Sequence, residues 1–321
     1  PVYVTTLGFF KKGSKVGAVC FTSGGVANAT LVAAAGKEIC AWRVRDLLDG
    51  QSTPSCFKLP GEVASLAACK MYERRVYLGT SDSHVLAIHV HERIELLDKE
   101  ISTTSPVCIL STCEDRIAIG MQSGIIALSS TDTFPEYSVL GSHTDEVQSF
   151  AWAADRRLVS TSRDLKIKIW NTSDCQLIQE ISLGKRSTNV PYNRLWVSAA
   201  VLPGPANELL LVSEPSGRIG VMDLCQEVVQ NSSQGASKGK DVFARYLEHK
   251  HSRPVFQLAA CAQQCWVLSI GMDRDIGLWN LATDTRLWNI HGFGGFIYAL
   301  NDSPLGVVIG AGDNMVRRWD H

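Results

Sequence analysis

The chain has 321 residues, of which 45% are hydrophobic, and its 31 basic residues nearly balance 32 acidic ones, giving a formal net charge of -1. This near-neutral charge excludes recognition of a polyanion by bulk attraction, so any nucleic-acid site must be a local basic patch. No apolar run approaches the roughly 18 residues that a membrane-spanning helix needs, which predicts a soluble protein with no membrane partner.

The same short pattern closes seven successive segments of the chain: a turn residue, two spacers, an apolar residue, one spacer, an aliphatic residue, and then Trp or a substitute. A period of roughly 40–45 residues ending in Trp-Asp or Trp-Asn is typical of WD repeats, each of which forms a four-stranded blade of a β-propeller. The clearest copies are Asp273–Trp279 and Asp313–Trp319. In chain order the copies end at Trp42, Ile88, Ser129, Trp170, Met222, Trp279 and Trp319.

The pattern therefore predicts an all-β fold: a single seven-bladed WD-repeat β-propeller that occupies residues 1–321 as one domain. Because the last copy leaves no room for a fourth strand, we expect Val2–Gly8 to pair with the strand that ends at Trp319 and close the ring. The predicted blades span approximately residues 9–58, 59–98, 99–140, 141–184, 185–249, 250–290, and 291–321 together with 2–8.

Blade four has a set of polar residues at characteristic spacing: Gly141, His143, Ser162, Asp164 and Trp170. These residues match the hydrogen-bonded tetrad that ties the turn of a WD blade to its strands. A catalytic interpretation is less favoured, because such chains of donors and acceptors usually satisfy buried polar groups. The chain also lacks a paired nucleophile and base or a phosphate-cradling loop, so we expect no enzymatic activity.

Ten cysteines are present, and most lie beside apolar residues in predicted strands, as Cys20, Cys69 and Cys108 do. We interpret them as buried free thiols in a reducing compartment, which favours the cytoplasm and leaves the nucleus open as a second location. Cys261 and Cys265 have no second Cys or His pair at the spacing of a zinc finger. We therefore expect neither a metal nor a cofactor.

One mouth of the predicted central channel collects aromatic and charged residues from the loops that open on it. A nucleotide fits such a set, because aromatic rings stack bases and attract cationic ones, a carboxylate accepts from a guanine edge, and arginines meet phosphates. The alternatives are that Trp196 and Tyr298 only pack the channel and that Glu146 is an ordinary solvated charge. The residues at this mouth are Asp145, Glu146, Arg194, Trp196, Arg253, Arg274, Phe296 and Tyr298.

Four longer strings resemble the first WD-repeat propeller of the Gemin-five family, the RNA-recognising subunits of the SMN complex. The resemblance is strong over roughly residues 140–321 and weak before them. The strings are RLWVSAAVLP (194–203), HSRPVFQL (251–258), LSIGMDRDIGLWNLAT (268–283), and the segment from GFGGFIYAL to the last Trp (292–319).

The resemblance implies recognition of small nuclear RNA precursors through their 7-methylguanosine cap, for the assembly of small nuclear ribonucleoproteins. In the family the cap base is sandwiched by two rings, whose counterparts here are Trp196 and Phe296. Arg253 and Arg274 fall on family positions near the RNA, Tyr298 follows the phenylalanine as expected, and Glu146 matches an acidic position. The implied ligands are capped small nuclear RNA or the cap nucleotide, without DNA, and the implied partners are SMN-complex proteins.

The chain also departs from the family pattern. Family members continue into a second propeller and a helical region, and they carry an aromatic N-terminal extension that contributes to binding of the uridine-rich Sm site. We therefore expect a cap site with weaker affinity for Sm-site RNA. The competing hypothesis is a WD scaffold that binds a peptide or protein at the same mouth, because aromatic and Arg residues also dominate protein interfaces.

Overall fold

The computed structural model describes residues 3–10, 15–22, 28–49, 53–184, 195–203, 208–224, 243–261, 265–290, 297–303, 306–311 and 315–320. Their strands pair into seven four-stranded sheets. Six of these sheets, blades one to six in chain order, are each built from four consecutive strands. The remaining sheet, the composite blade, joins the last three strands of the chain to the first one.

The first strand of each sheet lines the central channel. These strands are β2 (Val16–Phe21), β6 (Val63–Ala68), β10 (Val107–Cys113), β14 (Val147–Trp152), β18 (Ala199–Leu202), β22 (Val255–Cys261) and β26 (Ile297–Ser303). Each contacts the next all the way round, from β2 through β6, β10, β14, β18 and β22 to β26 and back to β2.

The second and third strands form the middle of each sheet. The second strands are β3 (Thr30–Ala35), β7 (Arg75–Thr80), β11 (Arg116–Met121), β15 (Arg157–Ser162), β19 (Leu209–Ser213), β23 (Trp266–Gly271) and β27 (Gly306–Ala311). The third strands are β4 (Glu38–Arg43), β8 (His84–Val90), β12 (Ile125–Ser130), β16 (Lys166–Asn171), β20 (Ile219–Asp223), β24 (Ile276–Asn280) and β28 (Met315–Asp320).

The fourth strand of each sheet lies on the rim. These strands are β5 (Ser55–Lys58), β9 (Ile94–Ser102), β13 (Tyr137–Ser142), β17 (Gln176–Ser182), β21 (Arg245–Tyr246), β25 (Thr285–Ile290) and β1 (Tyr3–Phe9). A short helix, α1 (Val44–Leu48), follows β4. No helix among the described residues is long and apolar enough to cross a membrane.

Six of the sheets are complete blades, each built from one continuous segment of chain. In the composite blade, β1 pairs antiparallel with β28, so that Tyr3 lies opposite Asp320 and Val4 opposite Trp319. The predicted seven-bladed description is therefore corrected: the chain forms six contiguous blades, and the count of seven holds only when this composite sheet is included.

The predicted limits of two blades also need correction. β9 continues to Ser102, beyond the limit predicted at residue 98, and β13 ends at Ser142, beyond the limit predicted at residue 140. The short pattern used for prediction fixes the third strand of a blade but not the length of the fourth. The fourth strand lies on the rim, where its largely polar, exposed residues give a weak hydrophobic signal.

The hydrophobic core lies between neighbouring blades. Val159, Ile167 and Ile169 of blade four pack with Val197 and Leu210 of blade five, and all five are nearly inaccessible to solvent. Each such aliphatic side chain contributes about 1.5–3 kcal/mol relative to an exposed one. The middle strands are therefore apolar on both faces, as expected for sheets that are covered on both sides.

Close approach of the blades depends on glycines in second strands, among them Gly79, Gly120 and Gly310. A Cβ atom on Gly120 of β11 would lie 2.6 Å from a methyl carbon of Ile109 and 2.8 Å from one of Val147, which opens the next blade. Gly79 of β7 shows the same arrangement, with Val107 of the next blade 2.5 Å away. Only a residue without a side chain fits at these positions.

Two cysteines differ from the prediction. Cys40 of β4 lies opposite Cys56 of β5, with Cα atoms 4.3 Å apart, and the pair forms a disulfide. The interpretation of the cysteines as free thiols is therefore wrong for this pair, because the antiparallel register brings together two residues that are distant in sequence. Cys20 and Cys69 are buried and lie outside this disulfide, and burial raises the pKa of Cys20 to about 12.

Candidate ligand-binding face

Loops and turns from several blades meet at one end of the channel, which we call the upper face. In blade four Val147 pairs with Ser162, so the loop that precedes β14 and the turn that follows β15 lie at the same end of the sheet. Blade six repeats this arrangement, with Val255 opposite Gly271. The upper face therefore carries Glu146, Arg163, Trp196, Arg253 and Arg274.

Trp196 is held by hydrogen bonds to the blades on either side of it. The side-chain amide of Gln148 donates to the carbonyl of Leu195 at 2.9 Å and accepts from the backbone N–H of Val197 at 2.9 Å. The indole N–H of Trp196 donates to the carbonyl of Phe256 at 2.7 Å. These bonds fix the half-buried indole at the upper face between blades four and six.

The ring of Phe256 packs against the indole of Trp196, with centroids 4.4 Å apart and planes inclined at 32°. A contact between two aromatic rings is favourable by about 0.5–1.5 kcal/mol beyond the area it buries. Both residues line the mouth of the central channel. Trp196 therefore both packs within the ring and presents part of its surface at the mouth, so the two sequence interpretations of this residue are compatible.

Glu146 is not an ordinary solvated charge. Its carboxylate forms an ion pair with the Arg163 guanidinium at 2.8 Å, and the two side chains are only 17% and 13% exposed. The Arg163 guanidinium carbon also lies 5.7 Å from the centre of the Trp196 ring. Arg163, which the sequence analysis did not select, thus connects the two site residues Glu146 and Trp196.

The other predicted site residues lie on blade six and the composite blade. Arg253 and Arg274 are exposed on blade six, which also supplies Phe256. Tyr298 lies in β26, where its backbone alone is described, and Phe296 and Arg194 lie outside the described residues. The predicted clasp of one base between Trp196 and Phe296 is therefore untested.

The tetrad of blade four is present with one change of member. His143 contacts Asp164 at 3.0 Å and the hydroxyl of Ser160 at 2.9 Å, and the Trp170 indole N–H donates to the same hydroxyl at 2.8 Å. The predicted member Ser162 instead donates to the carbonyl of Asp145. Ser160 and Ser162 lie on the same face of β15, and Ser160 is the nearer of the two to Leu158, which pairs with Trp170 across the sheet.

Blade six contains a second tetrad that the sequence analysis did not predict. His251 contacts Asp273 at 3.0 Å and the hydroxyl of Ser269 at 2.7 Å, and the Trp279 indole N–H donates to that hydroxyl at 2.8 Å. The signal was available, since His, Ser, Asp and Trp follow one another at nearly the spacing seen in blade four. The tetrad holds Asp273, whose neighbour Arg274 adopts a positive φ of 70°.

Both tetrad carboxylates are strongly acidic. Burial alone would raise the pKa of Asp164, but hydrogen bonds from His143 and from the backbone N–H groups of Thr144 and Lys166 outweigh it, and the pKa falls to about 2. Asp273 behaves in the same way, with His251 as its main partner and a pKa of about 2. These groups are structural anchors of the upper face, not reactive acids.

The channel below the mouth encloses a cavity of 480 Å³ lined by the first strands of blades one to six. Most of its polar side chains join one blade to the next: Ser65 accepts from the backbone N–H of Leu110, Thr112 donates to the carbonyl of Ala68, and Ser198 accepts from Leu258. Cys108 also lines it, and burial, followed by the nearby Glu146, raises the pKa of this thiol to about 12. The described lining is therefore uncharged, and the charged residues of the predicted site lie at the mouth.

Sequence comparison matches residues 135–171 to the family described as "WD domain, G-beta repeat". The chain is 25% identical to Gem-associated protein 5 of Mus musculus over 304 residues, which cover 89% of this chain and 18% of that protein. It is 40% identical to COMPASS component SWD1 of Saccharomyces cerevisiae over 68 residues, 20% of this chain and 16% of that protein. The chain thus spans less than a fifth of Gem-associated protein 5.

Among solved structures, the WD40 β-propeller domain of Doa1 superposes with a TM-score of 0.75 at 14% identity, covering 99% of this chain and 97% of that chain. At this identity the likeness shows the fold alone. The fold and the repeat match identify an all-β WD40 propeller, a type that typically serves as a non-catalytic interaction scaffold, with weak similarity to Gem-associated protein 5.

Proposed function

We propose that the upper face binds the 7-methylguanosine cap of small nuclear RNA precursors. The observation that carries this proposal is the half-buried indole of Trp196, which two neighbouring blades hold in a fixed orientation at the mouth of the channel. The weak similarity to Gem-associated protein 5 supports the same class of ligand. In this proposal SMN-complex proteins are the partners, the protein acts in the cytoplasm, and Sm-site RNA binds weakly.

The chemistry of the ligand suits a fixed indole. Methylation at N7 gives the guanine base a positive charge, and a cation over an aromatic face gains about 0.5–1 kcal/mol when exposed and about 2 kcal/mol when desolvated. Because Phe256 already covers part of the Trp196 ring, the base must use the remaining surface. We assign Phe296 to the far side of the base, as the resemblance to the Gemin-five family implies.

Arginines on blade six supply the partners for the phosphates of the cap. Arg253 and Arg274 are exposed on the same face, and Arg274 is held next to the tetrad residue Asp273. An arginine binds phosphate oxygens through two parallel N–H groups, which fixes orientation as well as charge.

Titration with 7-methyl-GTP tests the proposal. We expect the wild type to bind and Trp196→Ala to lose about tenfold or more in affinity, since a stacked base contributes about 1–3 kcal/mol. Trp196→Phe keeps an aromatic face but removes the indole N–H donor, so it should retain part of the affinity. The matched control is Trp288→Ala, because Trp288 is 49% exposed on β25, away from the mouth. Equal affinity of the wild type and Trp196→Ala, or binding by neither, contradicts cap recognition.

The salt dependence of RNA binding tests the phosphate contacts separately. Replacing Arg253 with Ala should weaken binding of capped RNA and reduce the slope of log affinity against log salt by about one, as expected for one lost phosphate contact. A slope equal to that of the wild type excludes a phosphate role for Arg253.

A peptide or protein partner is the second candidate function. The match to COMPASS component SWD1 favours it, because that protein is named as a component of a complex. A cationic side chain of a peptide would occupy the same indole face. Thermal stabilisation by Arg- or Lys-rich peptides but not by 7-methyl-GTP would select this function over the first.

A further inference from the structure

We infer that Arg163 is a built-in cation that competes with a cationic ligand for Trp196 and so sets how strongly this site prefers a charged base over a neutral one. The inference rests on the proposed function, because it concerns the same indole. Arg163 would then be a specificity-determining residue, because its positive charge limits the selectivity of the site for a cationic base.

Two interactions with Glu146 fix the position of Arg163. Its backbone N–H donates to the carbonyl of Glu146 at 3.0 Å, and its guanidinium pairs with the Glu146 carboxylate at 2.8 Å. The next residue, Asp164, is anchored by the tetrad of blade four. The guanidinium is therefore held near the indole, with its carbon 5.7 Å from the ring centre, within the range of a cation–π interaction.

The fold does not require this ion pair. The same backbone hydrogen bond, from the turn after the second strand to the loop before the first, recurs in three other described blades. There it joins Ser81 to Glu62, Gln122 to Pro106 and Met272 to Pro254, none of which can form an Arg–carboxylate pair. The Glu146–Arg163 ion pair is therefore not needed to form a blade, and it occurs in the blade that borders Trp196.

Two effects of the pair act in the same direction on an incoming cation. The guanidinium places a like charge close to the indole surface that the ligand needs, and like charges near one site disfavour each other. It also neutralises the Glu146 carboxylate, which would otherwise attract a cationic base. A neutral guanine experiences neither effect, so Arg163 should lower the preference for 7-methylguanine over guanine.

The test compares affinities for 7-methyl-GTP and GTP, which carry the same phosphates, so that any phosphate contact of Arg163 cancels in their ratio. Arg163→Met introduces the residue that blade six has at the equivalent position. We expect its ratio in favour of 7-methyl-GTP to rise by about twofold to thirtyfold, the range of one cation–π interaction. Arg163→Lys keeps the positive charge and should keep the ratio close to that of the wild type.

The outcomes separate this inference from the cap proposal. A ratio that is unchanged or lower in Arg163→Met, with binding that still depends on Trp196, overturns the role of Arg163 and leaves cap recognition intact. Absence of binding of both nucleotides to the wild type overturns both. If Arg163→Met does not fold because Glu146 is left buried without its partner, the double variant Glu146→Gln/Arg163→Met removes both charges, and its ratio must also exceed that of the wild type.

Discussion

Blades four and six are closed by polar tetrads, whereas blade two reaches the same four-stranded architecture by apolar packing and blade three has a single hydroxyl at the corresponding position. In blade two the third-strand position of the tetrad Trp is occupied by Ile88, which is fully buried beside other aliphatic residues. In blade three it is occupied by Ser129, which donates to the carbonyl of Glu136. Both arrangements give the same strand register. The stability of the two kinds of blade should nevertheless respond differently to substitution and to pH.

Blade one has a third arrangement at the position of the tetrad Trp. Trp42 occupies the third-strand position and is buried, but its indole N–H has no hydrogen-bond partner among the described residues. The Cys40–Cys56 disulfide joins the third strand to the fourth in this blade. A covalent link thus accompanies the incomplete polar network.

Breaking a tetrad should have the largest effect on stability. Asp164→Ala leaves the buried His143 and the backbone N–H groups of Thr144 and Lys166 without their acceptor, and we expect the free energy of unfolding to fall by about 3–5 kcal/mol. Urea unfolding measures the change. Asp98→Ala on the exposed rim strand β9 is the control and should have almost no effect. A loss of less than about 1 kcal/mol for Asp164→Ala would show that the tetrad is dispensable.

Removing the disulfide tests the solution found in blade one. The bridge spans 16 residues in sequence, and a loop of that size is expected to contribute about 3 kcal/mol. Cys56→Ser and chemical reduction of the wild type should lower the unfolding midpoint by the same amount. Cys175→Ser, at an exposed free thiol, should leave it unchanged. A midpoint that does not respond to reduction contradicts a stabilising bridge.

Low pH tests the same difference, because among the described carboxylates the two whose pKa falls to about 2 lie in the tetrad blades. Asp164 and Asp273 titrate at about 2 in the folded chain against an ordinary value of 3.8, so they stabilise the fold above that value and lose this contribution as pH falls towards 2. Each contributes about 2 kcal/mol. The double variant Asp164→Asn/Asp273→Asn should lose less stability than the wild type between neutral pH and pH 2. Parallel curves for the two proteins would argue against these pKa values.

The smallest effect is expected in an apolar blade. Ile88→Val removes one buried methyl group and should lower the free energy of unfolding by about 1 kcal/mol. The loss should not depend on pH, because no titratable group is involved. If Ile88→Val lowers the free energy of unfolding as much as Asp164→Ala does, apolar and polar blades are equally sensitive to substitution. That result would contradict the difference described between them.

These differences also explain which features the sequence could predict. The repeat period gave the propeller and the closing strand, because both follow from the regular spacing of third strands. The fourth-strand limits were missed, since rim residues carry little hydrophobic signal. Gln148 and Phe256 were missed because their role is to position Trp196 from neighbouring blades, and Arg163 because its partner Glu146 lies 17 residues away and meets it only through the register of β14 and β15.

The pairing of β1 with β28 has a consequence for synthesis on the ribosome. Tyr3 finds its partner Asp320 only after nearly every residue of this segment has been translated. Until then the earlier blades form an open arc with two unpaired sheet edges, and such edges are sites of intermolecular association. Pairing of β1 with β28 is therefore the step that removes these free edges and closes the ring. A chaperone that covers the edges would act before this pairing.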